Sequence, residues 1–325
     1  MAIYYFNLCH ITRRKKLSAV GRAAYMSCSR MRNERTGVLY NYTRKPGLVW
    51  QAVFLPDNAP QAWADRSVLW NAVEAKENAV VGHLAREVVV ALPIELSVPA
   101  WISLLTDYIR EQYVALGMCA DVSIHNTDGT NPHAHILLTS RPLEADGSWA
   151  QKAKLMYVCK RDAEQKLMTN TEYQLVRNDG WQKQYCYLVG GKKQFMTPDE
   201  AAANGYPLAR KDPRNYNLVH PLVAQWRSVE QLMAWRKAWA DVVNRYLQSA
   251  GSAARIDHRS YKEQGIDLIP MIHEGPAARR IEARGGISRR CEKNRQIRAE
   301  NARIREHSAQ NLESHNIAST TATPC

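Results

Sequence analysis

Three histidines in one short stretch are the residues of this chain whose types and spacing could do chemistry. His133 and His135 lie two positions apart in a β-rich run, so both imidazoles project from the same face of a strand. His125 closes the preceding β-rich run, and NTDGTNP between the runs predicts a hairpin that brings His125 alongside. Three converging neutral imidazoles would form a metal site with open positions, which favours catalysis. The alternative is surface histidines, or buried ones with satisfied hydrogen bonds.

Tyr25 is the candidate nucleophile. If the partner is nucleic acid, a metal at the histidines would polarise the scissile phosphate, and a nucleophile is then needed. The sequence presents neither a Ser-His-Asp order nor a Gly-rich phosphate loop. Tyr25 lies on a predicted helix just after a basic loop, with Arg22 one turn earlier. The competing interpretation is a tyrosine that packs on the sheet, since the chain has fifteen tyrosines.

Positive charge indicates a polyanionic partner. The chain has 44 Lys/Arg against 31 Asp/Glu, a net charge of +13 and a pI near 9.5. Residues 279–305 hold ten Lys/Arg against three acids. A second basic cluster follows the first apolar segment and consists of Arg13, Arg14, Lys15 and Lys16. Clustered cations gain affinity for nucleic acid by releasing counterions from phosphates, although a solubilising surface would look the same.

The sequence also argues against a secreted or membrane-spanning protein and against one held together by disulfides or zinc. The N-terminal basic cluster follows the apolar stretch, the reverse of a secretory signal, and no apolar run has membrane-spanning length. The seven cysteines are scattered and never in CxxC spacing, which argues against a disulfide framework and a structural zinc site. We therefore expect a cytoplasmic protein without membrane insertion. At 325 residues, one large domain or two ordinary ones are expected.

The elements that must position the candidate residues follow from the apolar patterns. The opening AIYYFNLCHI predicts a strand, and Ser18 can cap a helix through residue 32. A loop and short strand are expected over 37–55, a helix over about 61–80 and a buried strand over 86–93. A helix over 98–117 precedes the histidine hairpin at 120–141.

The remaining chain is predicted in three parts. Residues 142–228 contain short strands with Asn-Asp-Gly and Gly-Gly turns, which indicates an insertion on the core. Residues 229–251 form a strongly amphipathic pattern ended by Gly251, typical of a helix. Beyond residue 275 the chain becomes a basic tail, helical or disordered.

Six segments in this order resemble the relaxase domain of the MobA/MobL family, the mobilisation proteins of conjugative and mobilisable plasmids. They are MAIYYF, GRAAYMSCSR, WADRSVLWNAVEAKEN, AREVVVALP, NPHAHILLT and RIDHRSYKEQGIDLIPMIHEG. The resemblance covers about 1–141 and 229–275. It implies an α+β fold of the HUH endonuclease type, with a central antiparallel β-sheet that bears the histidines and helices packed on one side. The relaxase domain would then span 1–275, with the insertion at about 142–228, and the tail 276–325.

The resemblance also implies the chemistry. Tyr25 would attack the phosphate at the nick site of the plasmid transfer origin, leaving a 5′-phosphotyrosine bond that the reverse reaction rejoins. His125, His133 and His135 match the metal ligands, with Mg²⁺ or Mn²⁺ expected. Glu87 matches an acidic position that could orient a histidine or help take the tyrosine proton. Tyr25 has no adjacent partner, so a single-tyrosine mechanism is implied.

DNA is the implied partner. Single-stranded and hairpin DNA at the transfer origin, other relaxosome proteins and a coupling protein are expected. Besides Arg22 and the first basic cluster, His258 and Arg259 would contact the DNA backbone, unless their role is to close the domain. Many members continue into a helicase or primase domain, so the chain is expected to be either a short mobilisation protein or a truncated product.

Two other functions stay open at this point. An HUH replication initiator or transposase would use the same chemistry, but the tyrosine lies more than a hundred residues before the histidine motif, which favours a relaxase. A non-catalytic DNA-binding accessory protein is the alternative from a different class. The presence of Tyr25 and all three histidines argues against it.

Overall fold

A central antiparallel sheet dominates the first half of the chain. The computed structural model describes residues 3–77, 82–127, 129, 131–272 and 274–320. In chain order its first elements are β1 (Phe6–Thr12), α1 (Ala19–Met26), β2 (Arg30–Arg32), β3 (Leu39–Asn41), β4 (Leu48–Phe54), α2 (Arg66–Lys76), β5 (His83–Ala91), α3 (Val98–Ile109), β6 (Ala120–His125) and β7 (His133–Thr139). Five of the strands pair in the order β1-β5-β7-β6-β4, every pair antiparallel. The α+β fold with a central antiparallel sheet is confirmed.

Helices cover both faces of this sheet, so the expectation of helices on one side was wrong. Strands alternate their side chains between faces, and each face builds its own core. Val88, Val90 and Ile136 pack with α3 on one face. Ile11 and Leu137 pack with α1 and α2 on the other. The sheet is therefore buried on both sides, which explains the continuously apolar run in β5.

Helix α1 begins where predicted but ends early. Ser18 caps it, since the Ser18 side chain accepts a hydrogen bond from the Gly21 amide at 3.1 Å. The helix stops at Met26 instead of running to residue 32, because Cys28 adopts a left-handed backbone (φ 51°) and the Ser29 amide bonds back to the Ala24 carbonyl at 3.0 Å. Residues 30–32 form β2. Ser29 therefore lies outside the helix that carries Arg22 and Tyr25.

The histidine hairpin is confirmed. β6 and β7 pair in register, with His125 opposite His133 and Ser123 opposite His135. The helices predicted over 61–80 and 98–117 are present as α2 and α3, each extended by a short helical segment at Gln61–Ala64 and Arg110–Val114. Three parts of these predictions lie outside the described residues: 78–80 of the helix predicted over 61–80, positions 128 and 130 of the hairpin turn, and 321–325 of the tail.

Small sheets and short helices make up the segment predicted as an insertion. Its elements are β8 (Ala153–Arg161), β9 (Glu164–Met168), α4 (Asn170–Val176), β10 (Gln182–Lys183), β11 (Tyr185–Val189), β12 (Lys192–Met196), α5 (Pro198–Ala203), β13 (Leu208–Arg210), β14 (Asn215–Val219) and α6 (Pro221–Arg227). A four-stranded sheet forms around β8 and a three-stranded sheet around β11. Gly190 and Gly191 both have positive φ and close the hairpin between β11 and β12, as the Gly-Gly pair predicted.

A long helix, α7 (Val229–Ser249), returns to the central sheet and packs with α3. Gly251 (φ 70°) follows it, as predicted. The chain divides into two compact units, Met1–Asp257 and His258–Cys325. The second unit contains α8 (Gly275–Ala283) and α9 (Arg289–Thr320), so the described part of the basic tail is helical except for residues 284–288. The functional boundary near residue 275 stays a prediction. Within the described ranges, no helix has the length and apolar character that crossing a bilayer requires.

Candidate functional site

The three histidines meet at one end of the sheet. The centroid of the His133 ring lies 5.7 Å from that of His125 and 5.1 Å from that of His135, and His125 and His135 are 5.4 Å apart. The register explains this: His133 and His135 share a face of β7, and antiparallel pairing sets His125 opposite His133. The pairing predicted from spacing therefore brings all three rings together.

Two of the rings, those of His133 and His135, form their hydrogen bonds within the described residues through Nδ1. The Nδ1 of His133 donates to the Asn131 carbonyl at 2.8 Å, and the Nδ1 of His135 donates to Glu87 Oε1 at 2.8 Å. Because each acceptor fixes the proton on Nδ1, each Nε2 keeps its lone pair. Neither Nε2 has a hydrogen-bond partner among the described residues. Burial lowers the pKa of His133, which favours the neutral form that a metal ligand requires.

His125 is engaged on both nitrogens. Its Nε2 donates to the Met26 carbonyl at 2.6 Å, and its Nδ1 accepts from Lys45 Nζ at 2.9 Å. Burial, followed by repulsion from Lys45, lowers the pKa of His125 to about 4. As placed, the ring offers no nitrogen to an ion. Across the described parts of the chain, accordingly, no three His, Cys, Asp or Glu side chains are arranged to hold a metal.

Glu87 lies beneath the cluster. It is 3% exposed and accepts hydrogen bonds from His135 and from Arg22, and Cys9 Sγ lies 3.6 Å from its Oε2. Burial raises the pKa of Glu87, but the bonds from His135 and Arg22 outweigh it and hold that pKa below its ordinary value. A buried carboxylate that fixes one imidazole is the usual partner of a metal-binding histidine. Glu87 therefore holds the His135 ring, and its role in catalysis stays a prediction.

Tyr25 joins the site from helix α1. The Arg22 guanidinium carbon lies 4.8 Å from the centre of its ring and Lys45 Nζ lies 4.6 Å from it, and the ring packs edge-on against Tyr42 at 5.3 Å. The next residue, Met26, supplies the carbonyl that binds His125. The structure therefore brings the tyrosine and the histidines together from segments about a hundred residues apart.

Lys45 is a site residue that the sequence reasoning missed. It lies in the loop before β4, where Gly47 (φ 91°) lets the chain pass Thr127: a Cβ there would lie 2.5 Å from the Thr127 hydroxyl. Leu48, three residues on, pairs with His125. Lys45 could have been found only from the pairing of β4 with β6, because nothing in the sequence around Lys45 distinguishes it from other lysines.

The residues proposed to contact DNA differ in how the structure holds them. Arg13 is tied to helix α2: it pairs with the Glu74 carboxylate at 2.6 Å and bonds the Glu77 carbonyl. Arg22 is held by Glu87. The remaining members of the basic cluster, Arg14, Lys15 and Lys16, are exposed. His258 and Arg259 begin the second unit, directly after Asp257.

Comparisons with known proteins give consistent results. Residues 17–284 match the model of the MobA/MobL family. A "Probable mobilization protein MobA" of Bifidobacterium longum is 34% identical over 93% of this chain and 48% of its own length. A "Conjugal transfer protein TraA" of Rhizobium radiobacter is 32% identical over 93% of this chain and 24% of its own length. The chain thus spans about half of the first relative and a quarter of the second.

A solved structure, "Molecular Basis of Vancomycin Resistance Transfer in Staphylococcus aureus", has a similar fold. With a TM-score of 0.55 and 23% identity, it covers 80% of this chain, and all of its own chain is aligned. At that identity the likeness concerns the fold alone.

Proposed function

This chain belongs to the MobA/MobL family of mobilization proteins, and from that premise we propose that it is a DNA relaxase that nicks one strand at a plasmid transfer origin. The observation that carries the proposal is the position of Tyr25 beside the three histidines, linked by the 2.6 Å bond from His125 to the Met26 carbonyl. A tyrosine nucleophile next to metal-competent imidazoles is the combination that phosphodiester transfer needs.

The bonds balance without an external energy source. The Tyr25 oxygen attacks phosphorus, the bond to the 3′ oxygen breaks, and that oxygen leaves as a free 3′-hydroxyl once it has taken up a proton. The 5′ end stays attached to the tyrosine as a phosphodiester. One phosphodiester replaces another, so the reverse attack of the 3′-hydroxyl rejoins the strand.

His133 and His135 would hold the metal through their Nε2 atoms, because their Nδ1 atoms are the ones engaged in hydrogen bonds. His125 could join them only after its bond to Lys45 or to Met26 is exchanged. A bound ion would polarise the scissile phosphate and offset its charge. Imidazole donors favour Mn²⁺ over Mg²⁺, which prefers oxygen ligands.

The other residues of the site position these groups. Glu87 keeps His135 in the tautomer that leaves Nε2 free, and Arg22 ties the helix of Tyr25 to the same carboxylate. The exposed residues Arg14, Lys15 and Lys16 would contact the DNA backbone. By family membership, the partners would be single-stranded and hairpin origin DNA, relaxosome proteins and a coupling protein.

A covalent-adduct assay tests the proposal. Fluorescent single-stranded DNA from the transfer origin next to this gene is incubated with the protein and Mn²⁺ or Mg²⁺, and an SDS-resistant protein–DNA adduct is sought. We expect an adduct that disappears in Tyr25→Phe and with EDTA, while Tyr25→Phe still binds the DNA. Tight binding without an adduct, across several metals and both strands, would instead support a DNA-binding accessory protein.

His135→Ala is expected to abolish metal-dependent nicking with little loss of DNA affinity, because it removes one free Nε2 and leaves the basic surface intact. His220→Ala is the matched control, since His220 caps helix α6 and lies outside the cluster. Nicking rates and DNA affinity are measured for both variants. Wild-type nicking by His135→Ala would show that the cluster does not hold the ion.

A further inference from the structure

Arg86 is a buried cation that forms no ion pair with the described residues. It is 2% exposed, and its Nη1 has no hydrogen-bond partner among the described residues. No carboxylate in the described chain forms an ion pair with it, whereas the part-buried arginines Arg13, Arg22 and Arg66 all have one. An unpaired charge removed from water is among the most unfavourable features a fold can contain. The position therefore calls for an anion.

A second unsatisfied donor lies against it. The Arg86 guanidinium lies 5.9 Å from the centre of the Trp226 ring, and the buried indole Nε1 of Trp226 also lacks an acceptor among the described residues. Both groups only donate hydrogen bonds. One acceptor-rich ligand would satisfy both.

A second arginine and two histidines lie around Arg86. His10 lies directly opposite Arg86 across the β1–β5 pairing, and its ring contacts that of His83 at 5.2 Å. Arg227 follows Trp226 at the end of helix α6 and is exposed. The carboxylate that acts on His83 is Glu77, which is already engaged by Arg141 and Lys152, each at 2.8 Å. No described acid neutralises this group.

From these contacts we infer that Arg86, Trp226, Arg227 and the His10–His83 pair form a phosphate-binding site on the sheet face opposite to the histidine cluster. Successive residues of a strand point to opposite faces, so Arg86 and Glu87 serve different faces of β5. The ligand class is a phosphate group, since several N–H donors and cations suit its oxygens. The assignment of that phosphate to the DNA backbone rests on the proposed function. The inference that the site binds a phosphate group is independent of it.

The primary test is calorimetric titration of the full-length protein with inorganic phosphate at constant ionic strength. We expect Arg86→Met and Arg227→Met to weaken phosphate binding by about 10-fold or more, the usual effect of losing a charged hydrogen bond. Trp226→Phe keeps the ring and removes only the N–H, so it should weaken binding to a smaller extent. Arg245→Met, which removes an exposed arginine paired with Asp107, is the matched control and should bind as wild type does.

A second arm identifies the source of the phosphate. A short single-stranded oligonucleotide should compete with phosphate, and the same oligonucleotide with uncharged methylphosphonate linkages should not. If phosphate binds in an Arg86-dependent way but the oligonucleotide does not compete, the ligand is a free phosphate.

The site would be overturned if wild type did not bind phosphate. It would also be overturned if Arg227→Met and Trp226→Phe bound phosphate as tightly as wild type does. Arg227 is exposed, so its substitution keeps the test valid even if Arg86→Met fails to fold. The adduct assay on Tyr25 separates the two proposals. A protein that binds phosphate at Arg86 but forms no adduct would refute only the relaxase proposal.

Discussion

At the scale of single residues, Lys45 controls the electrostatics of the histidine cluster. Its ammonium bonds His125 at 2.9 Å and lies over the Tyr25 ring. Burial and this positive charge together lower the pKa of His125 to about 4. Burial and this loop lysine therefore both favour the neutral form of the His125 imidazole.

Lys45→Met should raise the pKa of His125, because the repulsion disappears while the burial remains. In the folded chain His125 resists protonation, whereas the unfolded chain takes up that proton near pH 6.5. The free energy of unfolding should therefore fall as the pH drops from 6.5 toward 4, and the variant should show a smaller fall. NMR titration of the imidazole and urea unfolding at about pH 7 and about pH 5 measure both quantities. Lys16→Met, which removes an exposed lysine, is the control; an unchanged His125 pKa in Lys45→Met would contradict the assignment.

At the scale of elements, a buried ion pair fastens helix α2 to the strand that ends at His125. Asp121 on β6 is fully buried and accepts from Arg66 at 2.8 Å and from the Trp70 indole at 2.8 Å. Burial raises the pKa of Asp121, and Arg66 opposes that rise. The helix and the histidine strand are thus held by charge as well as by apolar packing.

Arg66→Met is expected to destabilise the protein by about 3–5 kcal/mol, because it leaves the Asp121 carboxylate buried and unpaired. The exposed pair of Arg245 and Asp107 provides the comparison, and Arg245→Met should cost only about 0–1 kcal/mol. Urea denaturation gives both values. Similar urea midpoints for the two variants would mean that the buried pair of Arg66 and Asp121 stabilises the fold no more than the exposed pair does.

Much of the element layout could be predicted because it follows local patterns. Alternation and turn residues located the histidine hairpin, and Ser18 located the start of α1. The end of α1 could not be predicted, since the residue that adopts the left-handed conformation is Cys28 and not the glycine that usually marks such an end. Lys45 and Arg86 were missed because their importance comes from neighbours that are distant in the sequence.

At the scale of the whole molecule, the positive charge is distributed over both units, but its availability differs. Several arginines of the second unit are already paired with acids of the same unit, among them Arg295 with Glu282 and Arg298 with Glu274. In the first unit Arg14, Lys15 and Lys16 are exposed. A count of charges along the sequence therefore overstates what the 279–305 stretch offers to DNA.

Affinity for single-stranded DNA should fall steeply with salt. For about four phosphate contacts, raising NaCl from about 50 to about 200 mM should weaken binding on the order of 50-fold. Replacing Arg14, Lys15 and Lys16 with Ser should make this dependence shallower, whereas replacing Arg295 and Arg298 with Ser should change it less. Fluorescence anisotropy at several salt concentrations measures the slopes. A flat response in the wild type would exclude the basic surface as the DNA interface.

The bond between His125 and the Met26 carbonyl has a consequence for genetics. Its acceptor belongs to the main chain, so a substitution at position 26 does not remove the acceptor atom, and an alanine scan of that position would not test the bond directly. Among side chains, His125 is the one whose removal deletes this bond outright. Chemical synthesis could expose it: an ester in place of the 26–27 amide would weaken that carbonyl as an acceptor and keep every side chain, although it would also remove the Ser27 N–H that donates to the Ala23 carbonyl at 2.9 Å.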